Sequence, residues 1–412
     1  MRLMKREAGG SLNKSARQEI CMTFELSSSN AEKLLRHFEG RRGEVLSLTR
    51  ALCEAESPSG DGGGSRAVVN LLAEAASSVA GVESVERVAA ADDYGEHLLV
   101  RAFAEGACGE RSLLLLGHTD TVHPRGTLAA RPWREAEGRI YAPGVFDMKA
   151  SCAVALEALR ACSMLDLRPR RPVAFLLTCD EESGSMSGRA LVEEEARRAE
   201  CVLVLEPPAP GRRVKTARKG TGLFTLSVEG RAAHAGLEPE KGVSAVLELA
   251  RQIECVYALA KPELGTTINV GTVSGGTHAN VVAAEARAEV DVRFNTSDEA
   301  RRVEAALVEL KPFDERAALK VTGGINRPPM ERTAAVEKLY ERARRVAAAF
   351  DFELGEASVG GASDGNFAAA CGATVLDGLG IDGEGAHAAH EHIRTDAVAL
   401  RGAFLTALVA TL

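Results

Sequence analysis

The chain has 412 residues and a formal net charge of −8, with 58 acidic against 50 basic side chains. That length exceeds one ordinary hydrophobic core, so two domains are expected. The acidic balance argues against a nucleic-acid partner gripped through its phosphates. No apolar run is long enough to span a membrane, and nine cysteines without a C-x-x-C pair argue for a reducing, cytoplasmic compartment rather than a disulfide framework.

Residues 1–25 are polar and poorly patterned and are expected to form a disordered extension, with Met22 as an alternative start. Its basic residues are not followed by the apolar stretch of a secretory signal. Apolar residues at helical spacing predict a helix over 30–52. The run Ser57-Pro58-Ser59-Gly60-Asp61-Gly62-Gly63-Gly64 predicts a loop, and a second helix continues through Leu71 and Leu72. Strand-like runs fall at 98–102, 113–116, 173–178, 202–205 and 373–376, with helical patterns at 149–162 and 188–199 between them. This alternation predicts an α/β fold, a mostly parallel sheet flanked by helices.

The middle of the chain reads differently. Strand patterns at 222–229, 267–273, 281–294 and 319–321 enclose helical patterns at 243–258 and 298–310. The order β-α-β-β-α-β is ferredoxin-like. The α/β pattern resumes after Arg327-Pro328-Pro329, so an α+β domain over 218–328 is expected to be inserted into a larger one made of 26–217 and 329–412.

Acidic groups and histidines recur just past the strand ends. His118 and Asp120 follow the run Leu113-Leu114-Leu115-Leu116-Gly117, and Asp147 precedes a helix in Gly144-Val145-Phe146-Asp147-Met148-Lys149. Glu181 and Glu182 follow the strand at 173–178, Glu206 ends the next, and His387 lies in a Gly-rich loop after the last. In an open α/β sheet the crevice outside the strand C-termini binds ligands. Clustered carboxylates repel one another unless a cation offsets them. Imidazole and carboxylate ligands suit zinc, then cobalt or manganese, and a bridging aspartate can hold two ions about 3.5–4 Å apart with a water between them. Of the adjacent pair Glu181 and Glu182, one is free to ligate while the other takes the proton from that water. His390 and His392 are chemically equal to His387 as ligands, and His123 and His278 read as surface or hydrogen-bonded residues. Arg293 has Asp291 and Glu289 on its own strand face.

The motifs GHTDTV, GVFDMK, TCDEESGS, VLEP and the late GAH, in this order, resemble the co-catalytic zinc exopeptidase and deacylase family of acetylornithine deacetylase, succinyl-diaminopimelate desuccinylase and the glutamate carboxypeptidases. The resemblance runs through nearly all of the chain after about residue 40. GHTDTVHPRGTL and YAPGVFDMKAS are most similar to the glutamate carboxypeptidase branch.

The resemblance implies two zinc ions held by His118, Asp147, Glu182, Glu206 and His387, with Asp147 bridging and a cis peptide after it. It implies that Asp120 orients His118 and touches nothing else, and that Glu181 is the general base and then the acid for the leaving amine. The inserted domain becomes a lid and dimerisation domain. His234 of His234-Ala235-Gly236 would reach a partner subunit's scissile carbonyl to stabilise the oxyanion. Asn280 and Arg293 would hold the substrate carboxylate, Lys219 and Arg327 a side-chain carboxylate, and Gly360-Gly361-Ala362-Ser363-Asp364 a substrate loop. Hinge motion is expected near residues 215–220 and Pro328. Without metal, the clustered carboxylates should have raised pKa values from mutual repulsion. The expected activity is metal-dependent hydrolysis of an amide in a small peptide or N-acyl amino acid, releasing an amino acid with a free carboxylate. The alternatives are an N-acyl amino acid deacylase, and a non-catalytic binder that keeps the fold.

Overall fold

The computed structural model describes residues 26–107 and 111–412; the 1–25 extension with Met22, together with Cys21 and Cys108, lies outside them. The strands in chain order are β1 (Val82–Ala89), β2 (Glu96–Ala102), β3 (Ser112–His118), β4 (Arg134–Ala136), β5 (Arg139–Tyr141), β6 (Val173–Thr178), β7 (Ala199–Val204) and β8 (Val214–Arg218). They continue with β9 (Gly220–Glu229), β10 (Thr267–Gly275), β11 (Glu285–Phe294), β12 (Ala318–Arg327), β13 (Glu356–Val359), β14 (Thr374–Leu376), β15 (Gly383–Glu384) and β16 (His392–Arg394).

The main sheet runs β1-β2-β6-β3-β7-β14. Its core, β6, β3, β7 and β14, is parallel, and β1 and β2 add antiparallel strands at one edge. This is the mostly parallel, helix-flanked α/β sheet expected from the alternation. β3 is apolar on both faces because both are covered. Leu113 and Leu115 pack with the helices Ala150–Met164 and Ala397–Thr411, while Leu114 and Leu116 pack with Val192, Ala196 and Phe367 on the other side. The helix Ala150–Met164 is buried nearly all round, as its mostly apolar sequence requires.

A second sheet, β10-β11-β9-β12, is antiparallel throughout. The helices Ala245–Tyr257 and Ser297–Val308 contribute Leu249, Val256, Val303 and Leu307 to one core with Phe224, Leu226, Val228, Val290 and Val292. The inward residues alternate along β9 and β11, the period-two pattern of a half-buried sheet. The two chain crossings between the sheets lie side by side: Arg218 and Met330 exchange backbone hydrogen bonds at 2.9 and 3.0 Å.

Several boundaries differ from the sequence reading. The helix expected over 30–52 is two helices, Ser28–Gly40 and Arg42–Glu54, broken at Arg41, whose φ of −102° and ψ of 7° leave the helical region. The strand expected from 281 starts only at Glu285, because Val281 and Val282 pair instead with the segment around His234. The short strand expected at 319–321 extends to Arg327 through Gly323 and Gly324, since pairing with β9 overrides their low strand propensity. Among the described residues, no helix is long and apolar enough to cross a membrane.

Candidate metal centre

Register decides which side chains meet. His118 pairs with Thr178 across β3 and β6, and Leu116 pairs with Val204 across β3 and β7. The three parallel strands therefore end together, and His118, the turn after Thr178, and Glu206 emerge at one edge. Below that edge the chain bends between Gly144 and Lys149, with a cis peptide between Asp147 and Met148. Met148 packs so closely under β3 that a Cβ on Gly117 would stand 2.8 Å from its Cε.

His118 Nε2 lies 3.2 Å from Asp147 Oδ1 and 3.5 Å from Glu206 Oε1. His387 Nε2 lies 3.1 Å from Glu182 Oε2 and 3.5 Å from Asp147 Oδ2. The two oxygens of Asp147 thus face two different histidines. Ligand atoms of His118, Asp147 and Glu182 lie within 4.8 Å of one another, and so do those of His118, Glu181 and Glu206. His390 is exposed, and His392 turns away to start β16, its ring 5.1 Å from that of Tyr141, so His387 is the histidine of this loop that reaches the cluster.

The electrostatics favour positive charge among these groups. Burial disfavours a charged His118, but Asp120, Asp147 and Glu206 outweigh it and hold the imidazole well above its usual range. Asp147 and Glu182 push His387 up to about 10. Burial pushes Glu181 well above the carboxylate range, with Arg327 opposing and Glu206 adding to the rise. Glu182 rises for the same first reason, partly offset by His387. The expectation that mutual repulsion raises all the carboxylates does not hold. Asp147 and Asp120 are lowered despite burial, because protonated imidazoles stand beside them. A divalent cation bound here would compete with protons for these imidazoles. Glu182 Oε1 is buried with no hydrogen-bond partner, which is costly in a closed site and natural for a ligand atom. The donor set therefore fits divalent cations.

Asp120 does more than orient an imidazole. Its carboxylate lies 3.4 Å from His118 Nδ1, while its main-chain carbonyl is closer, at 3.0 Å. The carboxylate also accepts from Ser59 Oγ at 2.5 Å and from the backbone N–H groups of Glu181 and Glu182 at 3.2 and 3.0 Å. The expectation that it touches only His118 is corrected: one buried carboxylate orients the histidine and the turn bearing both glutamates.

Two arginines complete the surroundings: Arg218, which the motifs did not assign, and Arg327, expected to meet a substrate carboxylate. Arg218 donates twice to Asp377, at 2.7 and 3.0 Å, and reaches Glu206 Oε2 at 3.3 Å. Asp377 follows the apolar end of β14 just as Glu206 follows β7, so the same strand-end rule could have found it. Arg327 Nη1 donates to Asp364 Oδ1 at 2.9 Å, and its Nη2 donates to Ser185 Oγ at 2.9 Å and to the Glu181 carbonyl at 2.8 Å. Ser363 and Asp364 are spent on Asp377, Thr178 and Arg327, while the carbonyls of Gly361 and Ala362 accept from Arg218.

The remaining candidates lie apart from the cluster within one chain. His234 and Asn280 are exposed neighbours, joined through Ala235 N and the Asn280 carbonyl at 2.9 Å. Arg293 forks onto Asp291 at 2.8 and 2.9 Å, and Lys219 Nζ donates to the Gly265 carbonyl at 2.5 Å. All described cysteines are free, and burial pushes the thiols of Cys53, Cys152, Cys162, Cys179 and Cys201 up to about 12, which suits packing rather than nucleophilic attack.

Comparison with known proteins gives the family and the fold. Residues 114–411 match the family described as peptidase family M20/M25/M40. The chain is 29% identical over 355 residues to carboxypeptidase G2 of a Pseudomonas species, covering 83% of each. It is 32% identical over 226 residues to acetylornithine deacetylase of Myxococcus xanthus, covering 51% of this chain and 57% of that one. The crystal structure of aminopeptidase PepT from Bacillus cereus superposes with a TM-score of 0.73 at 21% identity, covering 90% of this chain and 98% of the other.

Proposed function

The chain belongs to peptidase family M20/M25/M40 and is a metal-dependent hydrolase of that family, and from this premise we propose that it is a glutamate carboxypeptidase-like enzyme. It cleaves an amide in a small peptide or N-acyl amino acid and releases an amino acid with a free carboxylate. The observation that carries the reading is the placement of Asp147, whose two oxygens face His118 on one side and His387 on the other.

His118, Asp147 and Glu206 would hold one ion, and Asp147, Glu182 and His387 a second; zinc suits these donors best, with cobalt or manganese as substitutes. Two such ions, when bound, would supply Lewis acidity to the scissile carbonyl and to the attacking water. Glu181 takes the proton of that water and returns it to the leaving amine. Its carboxyl is pushed up by burial and restrained by Arg327, which suits a group that must both accept and give a proton. Asp120 holds Glu181 in place through its backbone N–H. His234, from the partner subunit of a homodimer formed through the small sheet, stabilises the oxyanion. Asn280, Arg293, Lys219 and Arg327 are offered for the substrate's carboxylates. To take a substrate carboxylate, Arg293 would have to leave Asp291 and Lys219 the Gly265 carbonyl, both partners within the small domain, and the paired crossings at Arg218 and Met330 would serve as the hinge for closure. The free cysteines fit the cytoplasm.

The deacylase reading rests on the match to acetylornithine deacetylase, which spans 57% of that relative, whereas the match to carboxypeptidase G2 spans 83% of its own. A parallel screen of N-acyl-glutamates, dipeptides and N-acetylornithine with zinc or cobalt separates the two. Fastest release of glutamate supports the carboxypeptidase; fastest deacetylation of N-acetylornithine replaces it with the deacylase. Bound metal without hydrolysis of any substrate returns the non-catalytic binder.

A further inference from the structure

We propose that Glu391, braced by His123, is a positioning residue that fixes Asp147 and ties its loop to the loop carrying His387. This rests on the reading of Asp147 and His387 as metal ligands. Glu391 is 2% exposed, and four donors converge on its carboxylate. Phe146 N and Asp147 N donate to Oε1 at 2.9 and 3.1 Å; Gly144 N donates to Oε2 at 2.9 Å, and His123 Nε2 stands 2.6 Å from the same oxygen.

Gly144, at a φ of +70°, turns the chain so that these three backbone N–H groups point to one side, forming an anion-binding concavity. Here the anion is a side chain of the protein itself. One donor is the N–H of Asp147, so the carboxylate fixes the backbone of the residue that faces both histidines. Glu391 lies four residues after His387 and one before β16, whose His392 pairs with Tyr141 of β5. His123 follows His118 and Asp120 in the same loop, and Arg131 closes the circuit, lying 3.1 Å from His123 Nδ1 and donating to the Ala388 carbonyl at 3.1 Å. Three ligand-bearing segments thus meet on a carboxylate that itself has no place in the cluster. A buried carboxylate is costly unless saturated with donors, and this one is saturated by the loop it holds.

Glu391→Gln is nearly isosteric but turns an acceptor into an NH2 group facing a backbone N–H. The test measures zinc affinity and stoichiometry by chelator competition, and the visible spectrum of the cobalt-loaded protein. Glu391→Gln should weaken binding by about 10–100-fold and alter the cobalt spectrum, as loss of partners around metal ligands does elsewhere. Glu391→Asp, charged but one methylene short, should fall between. His123→Ala leaves the backbone contacts in place and should cause a smaller loss; it decides the matter if Glu391→Gln does not fold. Wild-type affinity and an unchanged spectrum in Glu391→Gln, or in His123→Ala if that is the variant that folds, overturn the proposal. A wild-type chain that binds neither metal overturns the ligand reading beneath it instead.

Discussion

Arg327 Nη2 lies 3.1 Å from Glu181 Oε1 and 2.8 Å from the carbonyl of the same residue. Arg327 ends β12, the last strand of the small sheet, and Glu181 begins the turn after β6 of the large one. The contact joins the inserted domain to the proposed base, and the guanidinium, stacked over Phe367, is itself buried. Glu181→Gln should therefore lower kcat by at least about 10²–10⁴-fold, the span of a general base. Its zinc content, measured on the purified variant, should stay at the wild-type level. Retained turnover would remove Glu181 from the chemistry.

Arg327 lowers the pKa of Glu181, so its removal should raise it. A base must be unprotonated to act, so the acidic limb of the kcat/KM profile should move to higher pH in Arg327→Met. Arg327→Lys keeps the charge and should move it less. An unmoved limb with a raised KM would instead place Arg327 on the substrate, the role the motifs suggested.

His234 is exposed and lies outside the cluster of its own chain. If it serves the partner's site, His234→Ala and Glu181→Ala chains should each be inactive alone and recover activity when mixed and re-associated. In the mixed dimer, one site then has both groups. Mixing without recovery, in dimers shown to have exchanged, contradicts the shared site.

Away from the site, Glu157 accepts from Arg41 Nε at 3.1 Å and stands 2.7 Å from His37 Nε2, linking the first helix and the break after it to the central helix. Burial raises the Glu157 pKa, but His37 and Arg41 outweigh it and bring it below the usual glutamate value. A folded-state pKa below the unfolded one stabilises the protein above the unfolded value and loses that contribution as pH falls through the folded one. Glu157→Gln should cost about 1.5–3 kcal/mol at pH 7, the range for hydrogen bonds to charged groups. In denaturant titrations, the gap from wild type should narrow as the pH falls below the usual glutamate value; a constant gap would mean that the loss is one of packing alone.

Acids placed directly after apolar strands were readable because strand and ligand are adjacent in sequence: Glu181, Glu182 and Glu206 needed only the run before them. Asp377 obeys the same rule, directly after the run at 373–376, but its carboxylate is spent on Arg218 rather than on the cluster. The ends of long side chains were not readable. Nothing local says that Arg218 reaches Asp377 or that Arg327 reaches Glu181, since each partner comes from another strand. Asp120 shows the limit most clearly. Its spacing from His118 suggested one partner, while the turn it also holds lies about sixty residues on, brought close only by the pairing of β3 with β6.

The central claim is that Asp147 joins two metal sites that support hydrolysis. The most direct test is to strip the protein with chelator and titrate zinc back, while following bound metal per chain and hydrolysis of an N-acyl-glutamate. The account predicts no activity in the stripped protein, a rise on titration that saturates at two ions per chain, and loss of both ions' tight binding in Asp147→Ala. Full activity in the stripped protein, or saturation at two ions in Asp147→Ala, would contradict it.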